Sequence, residues 1–262
     1  MSTSLTGRRA LVGGGSKGIG LGCARSLAAA GADVTLIARD QEALDAALSD
    51  LPRPVGQGHA ALSIDTARWR ELGEAVTADV EANGAIDILV HNTGGPPPGP
   101  AIEADPEAFA DAFDLHVLSG QSLVKAVVPG MKAGSYGRII NIISSSVVTP
   151  LPNLGVSNTI RGAVAQWGRT LAAELAPFGI TVNNVLPGSI DTSRLRTTLE
   201  RMAERQGVPV EEVEAQTIAA IPAGHLGRPA DIGAVVAFLA SPEAAYVNGV
   251  NLPVDGGKTA TQ

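Results

Sequence analysis

The feature that most constrains this 262-residue chain is a glycine-rich run, Gly13 to Gly20, placed between an apolar stretch and a helical pattern. Glycines there let the backbone turn tightly, approach a pyrophosphate and pack the following helix on the strand. The helix N-terminus then offers free N–H groups to an anion. Gly13, Gly15 and Gly18 match G-x-G-x-x-G, and Gly14, Gly18 and Gly20 match G-x-x-x-G-x-G. In this context the run predicts a dinucleotide site.

Short apolar runs alternate with helical patterns along the chain, which implies βαβ units and a parallel sheet. The predicted strands are Arg9–Val12, Asp33–Ile37, Ala60–Ile64, Ile86–His91, Gly137–Ile143, Thr181–Leu186 and Asn251–Val254. We therefore predict an α/β fold: residues 1–262 form a single doubly wound Rossmann domain, with a mostly parallel seven-stranded sheet and helices on both faces.

Helical spacing is clearest in Ile19–Ala30 and Ala163–Leu175. Gly31, Gly84 and Gly179 are predicted to end three helices in the left-handed conformation that glycine tolerates.

Two segments interrupt this alternation. Residues 94–100 are rich in proline and glycine, which excludes a helix or a central strand. Residues 189–223 are rich in charge and helix formers. They are predicted either as a flap over a substrate cleft or as a solvated surface excursion.

Composition narrows the class of protein. The net charge of −7 disfavours nucleic acid as a partner. The lone Cys23 cannot form an internal disulfide and fits a buried helix position in a reducing compartment. Because the sequence shows neither a signal peptide nor a membrane span, we expect a cytoplasmic protein. The four histidines lack metal-ligand spacing, so no metal site is expected.

The end of the second strand bears on cofactor choice. NAD sites commonly place a carboxylate there, but here the strand is followed by Arg39, which can bind a 2′-phosphate together with Lys17. Asp40 comes next and is the argument for NAD. Because Lys17 and Arg39 are two cations and Asp40 is a single carboxylate beyond the expected position, the sequence favours NADP(H).

Several motifs follow one another in a characteristic order. They comprise the glycine-rich turn with Gly14, Ser16, Lys17, Gly18, Ile19 and Gly20, then Asp65, then His91-Asn92-Thr93-Gly94, then Pro187, Gly188 and Thr192, and last Leu252–Gly257. In this order the chain resembles the short-chain dehydrogenase/reductase family, and in particular 3-oxoacyl-carrier-protein reductases. The resemblance implies that Asp65 contacts adenine and that Pro187, Gly188 and Thr192 meet the nicotinamide amide. It also implies a homodimer or homotetramer packed through helices at residues 103–132 and 158–177.

The catalytic motif departs from that family. The resemblance implies a serine that positions the carbonyl, a tyrosine that donates the proton and a lysine four residues later. Ser144 matches the serine, but Ser157 stands at the tyrosine position, Arg161 at the lysine position and His116 at that of a supporting asparagine. Neither Tyr136 nor Tyr246 fits the tyrosine position.

Arg161 cannot serve as an acid, but it can hold the nicotinamide ribose and face a developing oxyanion. His116 has an ordinary pKa suited to proton transfer near neutrality. One hypothesis makes it the proton donor, directly or through a water, and the other gives it only a structural hydrogen bond. His91 is predicted to be structural, and His59 and His225 are predicted to lie in loops.

Three functions stay open at this point. The first is an NADP(H)-dependent oxidoreductase acting on a carbonyl or hydroxyl compound. The second is an NADP(H)-binding sensor or partner subunit without turnover. The third is a different reaction in a reused fold.

Overall fold

The computed structural model describes residues 4–261. These residues form one parallel seven-stranded sheet, with helices packed against it, in the strand order β3-β2-β1-β4-β5-β6-β7. The strands are β1 (Arg9–Gly13), β2 (Asp33–Ala38), β3 (Ala60–Ser63), β4 (Ile88–His91), β5 (Gly137–Ile142), β6 (Ile180–Pro187) and β7 (Asn251–Val254). All seven predicted strands are confirmed, and the fold is the predicted Rossmann-like α/β arrangement.

The helices cover both faces of the sheet. They are α1 (Gly18–Ala29), α2 (Gln41–Ser49), α3 (Trp69–Asn83), α4 (Pro106–Phe113), α5 (Ser119–Ala133), α6 (Gly155–Leu175), α7 (Ser193–Gln206), α8 (Val210–Ala219) and α9 (Pro229–Ala240). Side chains of a strand alternate between the two faces. Val12 of β1 therefore packs with α1 and α9, whereas Leu11 packs with α3, α5 and α6. Cys23 is fully buried in α1, as predicted.

The strand order places a crevice at the carboxyl edge of the sheet. From β1 the chain moves outward to β2 and β3 and then returns to β4 on the other side of β1. Connections from β1 and β4 therefore leave in opposite directions, and the gap between them is the usual ligand position in such sheets.

One expectation about a helix end needs correction, and one helix is longer than its clearest sequence pattern. Gly179 is left-handed (φ 73°, ψ 18°). Gly84 also ends its helix with a positive φ, but at φ 92° and ψ 177° it lies outside the left-handed helical region, in a conformation that only glycine adopts readily. Helix α6 begins at Gly155, eight residues before the segment Ala163–Leu175 in which helical spacing is clearest. Its first turns contain small and polar residues that hide the helical period.

Residues 189–223 contain two helices, α7 and α8. Leu199, Ala203 and Val213 bury a small apolar cluster between them. A bridge between Ile190 and Gly227 ties the start of the segment to the loop before α9. No helix within residues 4–261 is both long and apolar enough to cross a bilayer.

Candidate functional site

The glycine-rich turn lies at the carboxyl end of β1 and leads into α1. Gly14 and Gly18 have φ of 58° and 56°, in the region that favours glycine. An added Cβ on Gly20 would lie 2.1 Å from the carbonyl oxygen of Gly14. Any side chain at position 20 would therefore push the turn away from the helix.

Asn92 holds this turn against the end of β4. Its Nδ2 donates to the carbonyl oxygen of Gly13 over 3.0 Å. An added Cβ on Gly14 would lie 2.7 Å from the same Nδ2. Asn92 therefore supports the turn from beneath, whereas Gly94, two residues later, borders open space.

The start of α1 suits an anionic group. Lys17 occupies the N-cap position with an exposed side chain, and within the described residues no side chain caps the first N–H groups of the helix. Uncapped N–H groups and the helix dipole favour a phosphate. Ser16 and Ile19 lie in the same turn, so this predicted set is brought together and fits a dinucleotide.

The adenosine end of the crevice lies beyond β2. The Arg39 side chain is 78% exposed and stands 3.8 Å from the Asp65 carboxylate. Asp40 instead caps α2, because its Oδ1 accepts from the Ala43 N–H over 3.1 Å. The Asp40 carboxylate, which was the reason to consider NAD, is therefore hydrogen-bonded to the protein backbone.

The opposite end is formed by β6 and the start of α7. Pro187 ends β6, and the Gly188 N–H donates to the carbonyl oxygen of Val254 over 3.1 Å. Thr192 caps α7 by accepting from the Leu195 N–H. An added Cβ on Gly18 would lie 3.4 Å from Thr192 Cγ2, so α7 starts beside the glycine-rich turn.

Ser157 and Arg161 occupy the first two turns of α6. Their spacing of four residues places them on one helix face. Arg161 is only 9% exposed, and its Nη1 donates to the carbonyl oxygen of Ile142 at the end of β5 over 3.0 Å. Burial and the Arg194 cation lower its pKa to about 10, which leaves it protonated at neutral pH.

Ser144 follows β5, and its Oγ accepts from the Ser146 N–H over 3.1 Å. Its hydroxyl thus stands two residues beyond Ile142, whose carbonyl binds Arg161. Arg161 thus joins α6 to the end of β5, two residues before Ser144, and Ser157 lies one turn before Arg161 on α6. We call this group the polar corner.

His116 enters from a π-helical turn, Asp114–Leu118, between α4 and α5. Such turns add a residue to a helix and often occur at functional sites. His116 is 1% exposed, and its Nδ1 is hydrogen-bonded to Thr93 Oγ1. Its Nε2 has no hydrogen-bond partner within the part of the chain that the structure describes.

The expectation about the pKa of His116 is wrong. Burial, followed by the nearby Arg161, lowers the pKa of its imidazole to about 2. Because the ring is desolvated beside cations, the imidazolium form is disfavoured. At neutral pH His116 is therefore a neutral ring.

The remaining histidines have structural surroundings. Burial and Arg161 lower the pKa of His91 to about 4; its ring meets Trp167 edge-on, and its Nε2 lies 3.3 Å from Ser119 Oγ. His59 accepts from the Val34 N–H, and His225 lies in an exposed loop.

Comparison with known proteins identifies the family. A family model described as enoyl-(acyl carrier protein) reductase matches residues 14–259. The 3-oxoacyl-[acyl-carrier-protein] reductase FabG of Vibrio cholerae is 35% identical over 256 residues, covering 97% of this chain and 98% of that protein. The chain belongs to the short-chain dehydrogenase/reductase family.

Solved structures of this family superpose closely on the chain. L-sorbose reductase from Gluconobacter frateurii, complexed with NADPH and L-sorbose, has a TM-score of 0.93 at 29% identity and covers 100% of both chains. The NADPH-dependent reductase YwfH, involved in bacilysin biosynthesis, has a TM-score of 0.90 at 26% identity and covers 96% of this chain and 98% of its own. As a family member, the chain is an oxidoreductase of the short-chain dehydrogenase/reductase type with a pyridine-nucleotide site.

Neither tyrosine of the chain lies at the polar corner. Tyr136 precedes β5, at the sheet edge opposite to Ser144, and its hydroxyl donates to the carbonyl oxygen of Ala240 over 2.6 Å. Arg8 and Arg138 pack on its ring. Tyr246 is fully exposed after α9.

Sequence reasoning missed Arg194 and Thr93. Arg194 extends from the first turn of α7 to residues 94–100, which we call the proline-rich loop. There its guanidinium donates to the carbonyl oxygens of Gly95 and Pro96 over 3.3 and 3.5 Å. The only sequence signal that Arg194 belongs to the site was its position two residues after Thr192. The charged composition of residues 189–223 obscured this signal. Thr93 matters because it holds His116.

Proposed function

We propose that this chain is an NADP(H)-dependent oxidoreductase that interconverts a carbonyl and a hydroxyl group on a small molecule, with the polar corner in place of the usual tyrosine and lysine. One observation supports it most: the uncapped N-terminus of α1 and the polar corner share the carboxyl edge of one sheet. A dinucleotide on the glycine-rich turn can reach the polar corner along that edge.

The preference for NADP(H) is part of this proposal. Arg39 and Lys17 are exposed cations beside the predicted adenosine site. Asp40 is already used as the cap of α2, so its carboxylate is less free to accept from a ribose hydroxyl. A doubly charged 2′-phosphate gains more from two cations than a hydroxyl does.

At the polar corner, each residue has a distinct proposed role. The bound nicotinamide supplies or accepts the hydride. Ser144 and Ser157 donate hydrogen bonds that orient the substrate carbonyl. Arg161 holds the nicotinamide ribose and presents positive charge to the oxygen as it becomes an oxyanion. Because its guanidinium stays protonated, it stabilises charge and leaves proton supply to another group.

We propose His116 as that group, acting as a neutral relay. A neutral imidazole can release the proton on one ring nitrogen while it receives one on the other. Nδ1 is paired with the Thr93 hydroxyl, and Nε2 is the unpaired nitrogen. In this relay Nε2 gives its proton to the oxyanion at the polar corner, directly or through a water. Nδ1 takes the Thr93 hydroxyl proton, which a water molecule then replaces. The low pKa of His116 excludes a stable imidazolium donor.

The segment 189–223 is proposed to cover the substrate. Helix α7 starts beside the glycine-rich turn, and Arg194 connects it to the proline-rich loop. That loop is itself tied to the start of α6 by the Gly99 N–H, which donates to the carbonyl oxygen of Asn153 over 2.7 Å. In this proposal the segment covers the polar corner from the side opposite to the sheet. A homodimer or homotetramer stays a prediction.

Two measurements test the proposal. NADPH binding is measured by fluorescence titration, and NADPH oxidation is followed with a broad panel of ketones, aldehydes and oxoacyl thioesters. We expect tight NADPH binding and turnover of at least one class, with Arg161→Ala reducing that turnover strongly. Tight binding without turnover above background on the whole panel would overturn the enzyme proposal in favour of a nucleotide sensor.

A further inference from the structure

Two cations near the polar corner have no acidic partner. Among residues 4–261, the ion pairs within 4.0 Å include neither Arg161 nor Arg194. Arg161 is nine-tenths buried, and its one acceptor among the residues that the structure describes is the carbonyl oxygen of Ile142. Burying a guanidinium without a counter-charge is costly, so such a group marks a place where an anion binds.

Arg194 has an unfavourable position unless it binds an anion. It is the second residue of α7, where the positive end of the helix dipole disfavours a cation. Within the described part of the chain, its guanidinium makes two long hydrogen bonds, to the carbonyl oxygens of Gly95 and Pro96. An added Cβ on Gly95 would lie 2.5 Å from Nη2, so the glycine makes room for the side chain. The loop therefore positions Arg194 and leaves most of its donors for a ligand.

The side of the cleft decides which ligand that is. Thr192 stands against Gly18, at the pyrophosphate turn, whereas Arg194 reaches the opposite wall at Gly95 and Pro96. Arg194 also lies near enough to Arg161 and His116 to lower the pKa of both. Its guanidinium is thus on the substrate side of the proposed nicotinamide position, away from the phosphates.

We infer that the substrate carries a carboxylate close to its carbonyl or hydroxyl group and that Arg194 binds this carboxylate. The inference rests on the proposed function. The planar guanidinium fork matches the two oxygens of a carboxylate. Because Arg161 is engaged with Ile142 and faces the oxyanion, one cation is left for one negative charge. An acidic chain of net charge −7 needs such a local site to hold an anion.

Binding to the NADP⁺-saturated protein tests this without turnover. Isothermal titration compares pyruvate, acetoacetate and levulinate with their methyl esters, since NADP⁺ cannot reduce them. For at least one pair we expect the acid to bind about 10- to 100-fold more tightly than the ester, the usual gain from hydrogen bonds to a charged group. Arg194→Gln should abolish that preference and leave NADPH affinity within about twofold, because the phosphates lie elsewhere.

Arg201→Gln is the matched control, since it removes the same charge from an exposed site about two turns further along α7. It should keep the acid preference. The inference is overturned if acids and esters bind equally in all three pairs, or if Arg194→Gln keeps the preference. It is also overturned if Arg194→Gln weakens NADPH as much as the acid, which would assign Arg194 to the cofactor phosphates.

Failure of the inference and failure of the proposed function are distinguishable. NADPH oxidation with the same six compounds is measured in parallel. If the esters are turned over as fast as the acids, the proposed oxidoreductase function stands and the inferred carboxylate on the substrate is overturned. If the acids bind selectively and through Arg194 but no carbonyl compound is turned over, the carboxylate site stands and the proposed oxidoreductase function is overturned.

Discussion

The glycine-rich turn and the polar corner lie at the same sheet edge but are built differently. The turn is made of backbone: its form depends on Gly14, Gly18 and Gly20 and on one side chain, Asn92. The polar corner is made of side chains whose behaviour depends on burial and on neighbouring charge. A backbone site can be predicted from residue types, whereas a side-chain site needs the surroundings of each group.

If the two regions are separable, a change in the polar corner should affect turnover without affecting cofactor binding. His116→Ala should lower kcat by about 10²- to 10⁴-fold, the usual loss when a proton-transfer group is removed, while NADPH affinity stays within about twofold. Steady-state kinetics and fluorescence titration measure the two quantities. His225→Ala, in an exposed loop, is the control. An unchanged kcat in His116→Ala would contradict the relay.

The cofactor region should in turn be altered without changing the chemistry. Arg39→Glu should weaken NADPH about 10- to 100-fold and NADH much less, because only NADPH carries the 2′-phosphate. Titration of both nucleotides decides this, with Arg70→Glu on the exposed face of α3 as the control. Equal weakening of both nucleotides would remove the NADP(H) assignment.

The backbone character of the turn can be tested by adding one carbon. Gly20→Ala brings a Cβ to 2.1 Å from the Gly14 carbonyl oxygen, so the turn must shift. We expect NADPH affinity to fall by up to about 3 kcal/mol, the upper range for overpacking. In Gly58→Ala, where nothing lies within 4 Å, affinity should not change. Wild-type affinity in Gly20→Ala would show that the turn tolerates a side chain.

The polar corner also predicts a pH dependence of stability. The pKa values of His91 and His116 fall from 6.5 to about 4 and about 2 on folding. The unfolded chain therefore binds more protons below pH 6.5. The stabilisation is complete above that pH and is lost on acidification, by about 2 kcal/mol per histidine between pH 7.5 and 5.

Urea unfolding at pH 7.5 and pH 5 measures this loss. The variant His116→Asn removes one titrating group and keeps a polar side chain, so its loss on acidification should be smaller than that of the wild type by about 2 kcal/mol. Equal losses in the two proteins would mean that the ring is not desolvated as described.

The sequence was sufficient for the fold because strand patterns and glycines act locally. All seven strands were predicted, and Gly14, Gly18 and Gly20 were assigned to the turn they form. Residues 155–162 at the start of α6 carry a weak apolar period, so helical spacing is clear only from Ala163, although Ser157 and Arg161 were predicted as a pair.

The rest required three-dimensional information. The low pKa of His116 arises from a π-helical turn that buries the ring near Arg161, which lies 45 residues away in sequence. Arg194 meets Gly95 across 99 residues. No local pattern records such contacts, so the ordinary pKa expected for His116 and the omission of Arg194 have the same origin.

The central claim is that the polar corner reduces a carbonyl group without a tyrosine. The most direct measurement uses NADPH deuterated at both C4 positions with the best carbonyl compound from the panel, followed by mass spectrometry of the product alcohol. The claim predicts one deuterium on the carbinol carbon with the wild-type protein and strongly reduced incorporation with Arg161→Ala. Tight NADPH binding with no deuterium in the product for any compound would contradict it.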